Sequence, residues 1–277
     1  MDAAPKKGYR LVARPEQLSA AEIRQGLAAQ VVGRVVECRQ SVGSTMDEAT
    51  ALAAAGAVEG TVVCAEQQTS GRGRLGRRWD SPAGQGIYLS VILRPDWPPT
   101  EVAKLTLLAA VAVCESVRPC GIAACIKWPN DILVDGRKLA GILTELNAEV
   151  DRVNFVVIGL GLNVNAAAGQ LPPQAVSLRM AAGQSFARGP VIRQVLTRLE
   201  HWYRLVQAEG FAPMLSRWKE LSVTMGQRVR ISDARGAVEG LAVDLSEHGG
   251  LVILDDEGRR VTRMSGDVKI IKDLSDG

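Results

Sequence analysis

Metal-ligating and nucleophilic residues are scarce in this sequence. It contains two histidines, His201 and His248, which are far apart in the chain. Its five cysteines are an odd number and include no Cys-x-x-Cys pair. Protein zinc sites need clustered His and Cys ligands, and the common nucleophilic triads need a positioned histidine. We therefore expect neither zinc chemistry nor a histidine triad, and we expect free thiols in a reducing cytoplasm.

A large excess of charge and a long hydrophobic run are absent as well. Lys and Arg number 33 against 30 Asp and Glu, so the net charge is +3, too small to favour a nucleic-acid-binding protein. The longest uncharged apolar stretch, residues 105–114, is much shorter than the ~20 residues of a membrane-spanning helix. No apolar segment follows the charged N-terminal residues, so we expect no signal peptide. These features predict a cytoplasmic protein that binds neither membranes nor DNA.

The sequence does contain an alternation of strand-like and helix-like segments, followed by a change in composition. Apolar and β-branched segments alternate with helical patterns up to residue 221. Beyond it, short segments separated by Gly- and Asp-rich turns predict a small β-barrel. The predicted organisation is an N-terminal arm with a short helix over 1–30, an α/β (α+β) domain over 31–221 and a β-rich domain over 222–277.

Periodicity and capping residues predict the individual elements. A Ser19-x-x-Glu22 capping box predicts a helix over residues 19–29. The continuous apolar pattern of Ala103–Val117 predicts a buried helix, and Pro190 begins a helix with an apolar stripe. Strands are predicted at residues 31–39, 61–65, 86–93, 123–128, 132–134, 138–145 and 153–163.

The most informative segment is rich in glycine and arginine, and we call residues 71–79 the basic glycine loop. Gly71, Gly73 and Gly76 match the pattern G-x-G-x-x-G. However, four arginines, a tryptophan and a Ser-Pro pair occupy the place where a dinucleotide-binding fold needs a helix. Arginine binds carboxylates and phosphates bidentately. The loop is therefore an anion clamp, a solvated basic turn or a nucleic-acid patch.

Two other segments place polar side chains in apolar surroundings. Ser44 and Thr45 begin a helix with a Thr45-x-x-Glu48 capping box, so their hydroxyls either cap this helix or receive a polar ligand. Lys127 lies in an apolar strand, where it either pairs with Asp131 or contacts a bound anion. Both segments leave a structural and a functional interpretation open.

Five stretches, in this order, resemble the biotin–protein ligase (biotin–[acetyl-CoA-carboxylase] ligase) family. They are STMDEA from Ser44, EQQTSGRGRLGRRWDSP from Glu66, KWPNDI from Lys127, KLAGILTE from Lys138 and GLGLNVN from Gly159. The resemblance covers about residues 35–275 and includes the β-rich C-terminal region. Only about 40 residues precede the first stretch, so we expect the form that lacks an N-terminal DNA-binding domain.

This resemblance implies a mixed-sheet catalytic domain of the biotin/lipoate ligase superfamily with an SH3-like C-terminal domain. It implies an enzyme that joins biotin and ATP to give biotinyl-5′-AMP and pyrophosphate. The enzyme would then transfer biotin to a lysine of a biotin carboxyl carrier protein domain, such as that of acetyl-CoA carboxylase. Mg²⁺ would be held mainly by ATP, without an assigned protein ligand. The resemblance also leaves a homodimer open.

The family motifs imply roles for single residues. Adenylation brings a carboxylate to an anionic phosphate, so fixed cations must offset the repulsion, and Lys127 and Arg74 are the expected catalytic residues. Met46 stands where many relatives have asparagine, which leaves a side-chain contact from that position unassigned. The expected biotin-binding residues are Ser44, Thr45, Gln68, Arg72, Gly73, Arg74, Lys127 and Gly141. The expected ATP- or adenylate-binding residues are Arg74, Arg77, Trp79, Lys127, Asn130 and Asn163.

Three other functions stay open at this point. A relative that handles lipoate or octanoyl groups would share the catalytic domain. A biotin-sensing regulator would bind DNA, with a steep dependence on salt. A dinucleotide-dependent oxidoreductase rests only on the match to G-x-G-x-x-G.

Overall fold

The computed structural model describes residues 17–271 and the backbone of residues 2–4 and 8–10. The remainder of the predicted N-terminal arm and residues 272–277 lie outside the described residues. The strands are β1 (Asp2–Ala4), β2 (Gly8–Arg10), β3 (Val36–Val42), β4 (Val62–Gln68), β5 (Gly86–Leu93), β6 (Cys125–Lys127), β7 (Asp131–Val134), β8 (Arg137–Ala148), β9 (Val153–Asn163), β10 (Arg228–Asp233), β11 (Gly236–Leu245), β12 (Leu251–Leu254), β13 (Arg260–Arg263) and β14 (Asp267–Ile270). The helices are α1 (Ala20–Arg24), α2 (Thr45–Ala54), α3 (Ala103–Val117), α4 (Leu178–Ala182), α5 (Arg188–Glu209) and α6 (Ala212–Leu221).

A seven-stranded mixed sheet forms the body of the molecule, in the order β3-β4-β5-β9-β8-β7-β6. Strands β3 and β4 are parallel, and the other neighbouring pairs are antiparallel. Helices α3, α5 and α6 pack on one face of the sheet, and α2 packs on the other. Helix α3 lies between the sheet and the helices α5 and α6, which explains its apolar pattern and confirms its prediction. Within residues 17–271, no helix has the length and apolar composition needed to cross a membrane.

The helix predicted over residues 19–29 is shorter than its sequence pattern suggested. Ser19 caps it as expected, because its side chain accepts a hydrogen bond from the amide of Glu22. The helix nevertheless ends at Arg24. Gly26, at φ 78°, adopts a left-handed conformation that the helix cannot continue through.

The strand predicted over residues 31–39 begins only at Val36, because a distant carboxylate holds the preceding residues in a turn. The amides of residues 30–32 all donate to Glu200, at 2.7 to 3.0 Å. Burial alone would raise the pKa of Glu200, but these hydrogen bonds lower it. Glu200 lies about 170 residues further along the chain, so no local sequence pattern could reveal this turn.

The C-terminal unit is an antiparallel five-stranded sheet in the order β13-β12-β11-β10-β14, consistent with an SH3-like barrel. Its last strand, β14, lies outside the segments that the sequence predicts for this unit, at residues 226–231, 240–245, 250–255 and 259–264. Hydrogen bonds fix this unit to the body of the molecule. Trp128 Nε1 donates to the carbonyl of Gly249 at 3.2 Å, and Lys104 Nζ donates to the carbonyl of Glu247 at 2.7 Å. These contacts bring one edge of the C-terminal unit to the basic glycine loop.

A buried ion pair joins the central sheet to the start of α5. The guanidinium of Arg188 lies 2.8 Å from the carboxylate of Glu66, and both side chains are almost fully buried. Glu66 also accepts a hydrogen bond from the amide of Leu18. Burying two charges is costly, so such a pair stabilises the fold only while both partners are present.

We expect Glu66→Gln to lower the free energy of unfolding by about 3–5 kcal/mol, because it leaves the Arg188 charge buried without its carboxylate. Glu239→Gln is the matched control, since it breaks the exposed Arg230–Glu239 pair of 3.0 Å and should cost less than about 1 kcal/mol. Urea unfolding measures both changes. Equal losses in the two variants would contradict a stabilising role for the buried pair.

Candidate functional site

A cavity of about 330 Å³ opens where the basic glycine loop, the centre of the sheet and the C-terminal unit meet. The start of α2 and the turn between β6 and β7 complete its walls. Eleven of the twelve predicted site residues line it: Ser44, Thr45, Gln68, Arg72, Gly73, Arg74, Arg77, Trp79, Lys127, Asn130 and Gly141.

One end of the cavity is uncharged and polar. Gln68 Oε1 accepts hydrogen bonds from the amide of Thr45 at 2.8 Å and from its hydroxyl at 3.1 Å. The Thr45 hydroxyl also accepts from Ser90 at 2.9 Å, and Gln68 Nε2 donates to Ser81 at 2.8 Å. This connected network fixes the side chains of Thr45 and Gln68 in one orientation. It therefore offers preorganised hydrogen-bonding groups to a neutral polar ligand.

The predicted Thr45-x-x-Glu48 capping box is wrong by one residue. Ser44 is the N-cap of α2, because its backbone is extended and its side chain accepts from the amide of Met46 at 3.2 Å. Thr45 is already the first helical residue. Its hydroxyl is consequently free for the network with Gln68 rather than engaged in capping.

Trp79 covers the centre of the sheet, where side chains are missing. Gly141 on β8 and Gly161 on β9 are directly paired in the ladder. A Cβ atom added to Gly161 would lie 2.4 Å from the indole of Trp79, and one added to Gly141 would lie 3.2 Å from it. Gly161 is therefore required for the indole to lie where it does against the strands, and a side chain at Gly141 would make a tight contact with it. Trp79 Nε1 is buried without a hydrogen-bond partner among the described residues.

The basic glycine loop folds as a tight hairpin rather than as the start of a helix. The amide of Gly73 donates to the carbonyl of Arg77 at 2.7 Å, and that of Trp79 donates to Gly71 at 2.9 Å. Leu75 lies at its tip at φ 56°, and its side chain is 70% exposed. A dinucleotide-binding turn would need a helix here, so the G-x-G-x-x-G match is coincidental.

Carboxylates neutralise some of the cations around the cavity. Arg72 pairs with Asp47 at 2.8 Å and with Glu145 at 3.1 Å. Arg77 pairs with Asp267 of β14, which joins the basic glycine loop to the C-terminal unit.

Asp131 forms no ion pair with Lys127. That ion pair was the structural interpretation that the sequence left open. Instead the Asp131 carboxylate lies 2.6 Å from Lys138 Nζ. The Lys138 ammonium also lies 5.4 Å from the centre of the Trp79 ring. Among the described residues, Lys127 makes no ion pair, so its charge is available in the cavity.

Arg74 is held in the cavity by an amide instead of a carboxylate. Its Nη1 donates to Asn130 Oδ1 at 3.2 Å. Asn130 is itself fixed, because its Nδ2 donates to the carbonyl of Ile142 on β8 at 2.7 Å. Burial lowers the pKa of Arg74, although Asp131 and Asp267 act in the opposite direction. Guanidinium groups remain charged despite such shifts, so Arg74 presents a partly desolvated positive charge.

Asn163 is the predicted site residue that does not line the cavity. Its Nδ2 donates to the carbonyls of Val176, at 3.1 Å, and Lys138, at 3.4 Å. The amide nitrogen thus ties the end of β9 to a neighbouring loop, and the contact of Asn163 with adenine stays a prediction.

Sequence reasoning missed several residues that line the cavity. Lys138 stands three positions before Gly141 in the same strand, a spacing that could have drawn attention to it. The residues contributed by β14 carried no such signal, because their place in the cavity depends on how the C-terminal unit docks. The missed residues include Asp131, Lys138, Asp267 and Lys269.

Two family models match the chain. The model of the biotin/lipoate A/B protein ligase family matches residues 38–163, and that of the biotin protein ligase C-terminal domain matches residues 224–270. A bifunctional ligase/repressor BirA from Bacillus subtilis is 42% identical over 93% of this chain and 81% of its own. A biotin–[acetyl-CoA-carboxylase] ligase from Mycobacterium tuberculosis is 39% identical over 85% of this chain and 88% of its own.

A comparison with solved structures also finds similarity to a biotin protein ligase. A biotin protein ligase from Aquifex aeolicus, in complex with biotin and ATP, has a TM-score of 0.74 and 28% identity. The match covers 86% of this chain and all of the other. Both structural units of the chain therefore have counterparts in one group of proteins.

We expect Gly161→Ala to displace the Trp79 indole, because the added methyl group would overlap it. Tryptophan fluorescence should shift to longer wavelength as the ring becomes more exposed. The shift should vanish in a Trp79→Phe background, which assigns it among the five tryptophans. Gly43→Ala is the control, since a Cβ there meets nothing within 4 Å. An unchanged spectrum for Gly161→Ala would contradict the packing described.

Proposed function

This chain belongs to the biotin/lipoate A/B protein ligase family, and on that premise we propose that it is a biotin–protein ligase. It would adenylate biotin with ATP and transfer the biotinyl group to a lysine of a biotin carboxyl carrier domain. The observation that carries the proposal is the convergence of Arg74, Lys127 and the Thr45–Gln68 network on one cavity. The names of the relatives from Mycobacterium and Aquifex support the substrates.

The uncharged end of the cavity suits the ureido head of biotin. That head carries N–H donors and a carbonyl acceptor but no charge, so hydroxyl and amide groups match it without burying an ion. Thr45 and Gln68 are held by each other and by Ser81 and Ser90, which supports them as binding groups. We assign Ser44 and the backbone of Gly141, which line the same cavity, to biotin as well.

The cationic side of the cavity suits the adenylation step. An oxygen of the biotin carboxylate attacks the α-phosphorus of ATP, a P–O bond forms, and pyrophosphate leaves with the electrons of the broken bond. Both reactants are anions, and their repulsion must be offset by fixed positive charges. Arg74 and Lys127 suit this role because neither is neutralised by a carboxylate within hydrogen-bonding distance among residues 17–271.

The position of strand β14 supports binding of the phosphate chain of ATP at the edge of the C-terminal unit. Asp267 and Lys269 alternate with buried Val268, and both line the cavity. Asp267 anchors Arg77, whereas Lys269 makes no ion pair within the described part of the chain. We assign Lys269 to the phosphates distant from the reacting carboxylate. Arg77 and Trp79 remain proposed nucleotide contacts.

The basic glycine loop is also suited to protecting biotinyl-5′-AMP, the product of the first step, from water. Biotinyl-5′-AMP is a mixed anhydride that hydrolyses in water, so exclusion of solvent matters after the first step. The basic glycine loop covers the cavity between Trp79, packed on the sheet, and Arg77, paired with the C-terminal unit. In the second step the amine of the acceptor lysine attacks the anhydride carbonyl, and AMP leaves.

Mg²⁺ would shield the phosphates and bind mainly to them. No cluster of three or more potential ligands is present among the residues that the structure describes. The nearby carboxylates Asp131 and Asp267 are engaged with Lys138 and Arg77. The cavity therefore fits a metal that arrives with the nucleotide. Use of Mg²⁺, a cytoplasmic location and a homodimer stay predictions.

Incubation with biotin, ATP and Mg²⁺ tests the proposed function. We expect pyrophosphate release with biotin but not with lipoate or octanoate. A carrier domain should be biotinylated, and the same domain with its acceptor lysine changed to arginine should not. Activity with lipoate alone would favour the other branch of the family, and the absence of any acyl adenylate would overturn the proposal.

We expect Lys127→Met to lower the rate of pyrophosphate release by about 10²–10³-fold while biotin binding changes little, because the charge acts on the developing negative charge of the transition state. Equilibrium binding of biotin and the rate of the first turnover separate the two effects. Lys219→Met, which removes an exposed lysine paired with Asp244 at 2.6 Å, should leave both unchanged. Equal losses in biotin affinity and in the rate of the first turnover would show that Lys127 serves binding only, which would contradict its proposed catalytic role.

We expect Lys269→Met to raise the KM for ATP about tenfold, the effect of losing one charge-assisted hydrogen bond, with the KM for biotin unchanged. Lys269→Arg should restore most of the affinity, since it retains the positive charge. Initial rates at varied ATP and biotin measure both constants. An unchanged KM for ATP in Lys269→Met would remove β14 from the nucleotide site.

A further inference from the structure

Two cysteines that the proposed reaction does not use lie side by side in the sheet. Cys38 on β3 is directly opposite Cys64 on β4 in the parallel ladder. Their Sγ atoms are 2.9 Å apart, and both cysteines are free thiols. Neighbouring strands lie about 4.8 Å apart, within the about 4.4–6.8 Å between Cα atoms that disulfides span. The backbone therefore already holds the two residues at bonding separation.

The remaining cysteines are not arranged in this way. Cys114 donates to the carbonyl of Ala124 at 2.9 Å, and Cys125 donates to that of Leu133 at 3.5 Å. Burial raises the pKa of Cys114 to about 12. Burial also raises the pKa values of Cys120 and Cys125. Since the thiolate is the reactive form, these three thiols are poor nucleophiles at neutral pH.

The two members of the pair differ in access and in acidity. Cys64 is fully buried, whereas Cys38 is partly exposed on the edge strand of the sheet. The hydrogen bond between the two thiols lowers the pKa of Cys38, although burial and the charge of Glu66 oppose the shift. The same hydrogen bond, together with burial, raises the pKa of Cys64. Cys38 is thus the accessible nucleophile, and Cys64 is placed to react second.

We propose that Cys38 and Cys64 form a reversible dithiol/disulfide modification site whose co-substrate is a low-molecular-weight disulfide such as oxidised glutathione. The Cys38 thiolate attacks one sulfur of glutathione disulfide, an S–S bond forms, and one glutathione thiolate leaves. Cys64 then attacks Sγ of Cys38 and expels the second glutathione, and its proton passes to that leaving thiolate. Two protein thiols are oxidised and one glutathione disulfide is reduced to two thiols.

This site is separate from the cavity but lies on the strands that lead to it. Strand β3 continues to Ser44 and Thr45, and β4 continues to Gln68. A covalent link between Cys38 and Cys64 would fix the relative position of the two strands, which hydrogen bonds and core packing now hold. The inference does not rest on the proposed ligase function, since it needs only the two thiols and their register.

Treatment of the full chain with oxidised glutathione at neutral pH tests the proposal. Thiol counting and peptide mapping under non-reducing conditions should find one disulfide, between Cys38 and Cys64, with the other three thiols intact. Dithiothreitol should return all five thiols. A disulfide between any other pair, or no thiol loss while the denatured chain still reacts, would overturn the proposal.

Two single variants test the order of attack. Cys64→Ser should accumulate one glutathione mixed disulfide on Cys38, because the second thiol is missing. Cys38→Ser should leave Cys64 unmodified, because that thiol is buried. Cys120→Ser is the control and should still form the disulfide between Cys38 and Cys64. Equal modification of Cys64 in the presence and absence of Cys38 would contradict the assigned roles, and peptide mapping of the unsubstituted chain decides the matter if a variant does not fold.

Discussion

The concentration of positive charge around one cavity is the constraint on which the site depends. Seven basic side chains line it and only two carboxylates do so. Like charges close together repel, and counter-charges or hydrogen bonds on some of these side chains lessen that repulsion. Arg72, Arg77 and Lys138 are held by carboxylates. Arg74 is held by the amide of Asn130 and forms no ion pair among the described residues. An anionic ligand in the cavity would offset the remaining repulsion between these cations.

The same site depends on the absence of side chains at the centre of the sheet. The paired Gly141 and Gly161 leave a gap that the indole of Trp79 fills. This contact anchors one end of the basic glycine loop, and the pair of Arg77 with Asp267 anchors the other. Between these two anchors Arg72 and Arg74 also hold the loop, whereas Leu75 at its tip is exposed. Such a loop is suited to closing over a reactive intermediate.

The C-terminal unit is part of the site rather than an appendage. Trp128, buried in the body of the molecule, donates a hydrogen bond to Gly249 of that unit. Trp128 directly follows Lys127, so the residue that docks the two units neighbours the proposed catalytic lysine. The docking in turn places Asp267 and Lys269 of β14 at the cavity. Movement of the C-terminal unit would therefore change the charge balance of the site.

The sequence by itself determined the family, the buried helix α3, the β-rich C-terminal unit and eleven of the residues that line the cavity, because these depend on local periodicity and on continuous motifs. It did not determine that Thr45 bonds Gln68 instead of capping α2, that Asp131 pairs with Lys138 instead of Lys127, or that Asn163 faces a loop. Nor could it place β14 at the cavity or Cys38 opposite Cys64. Only the tertiary structure decided these contacts, because each joins side chains whose separation is set by strand register and domain docking rather than by neighbouring residues.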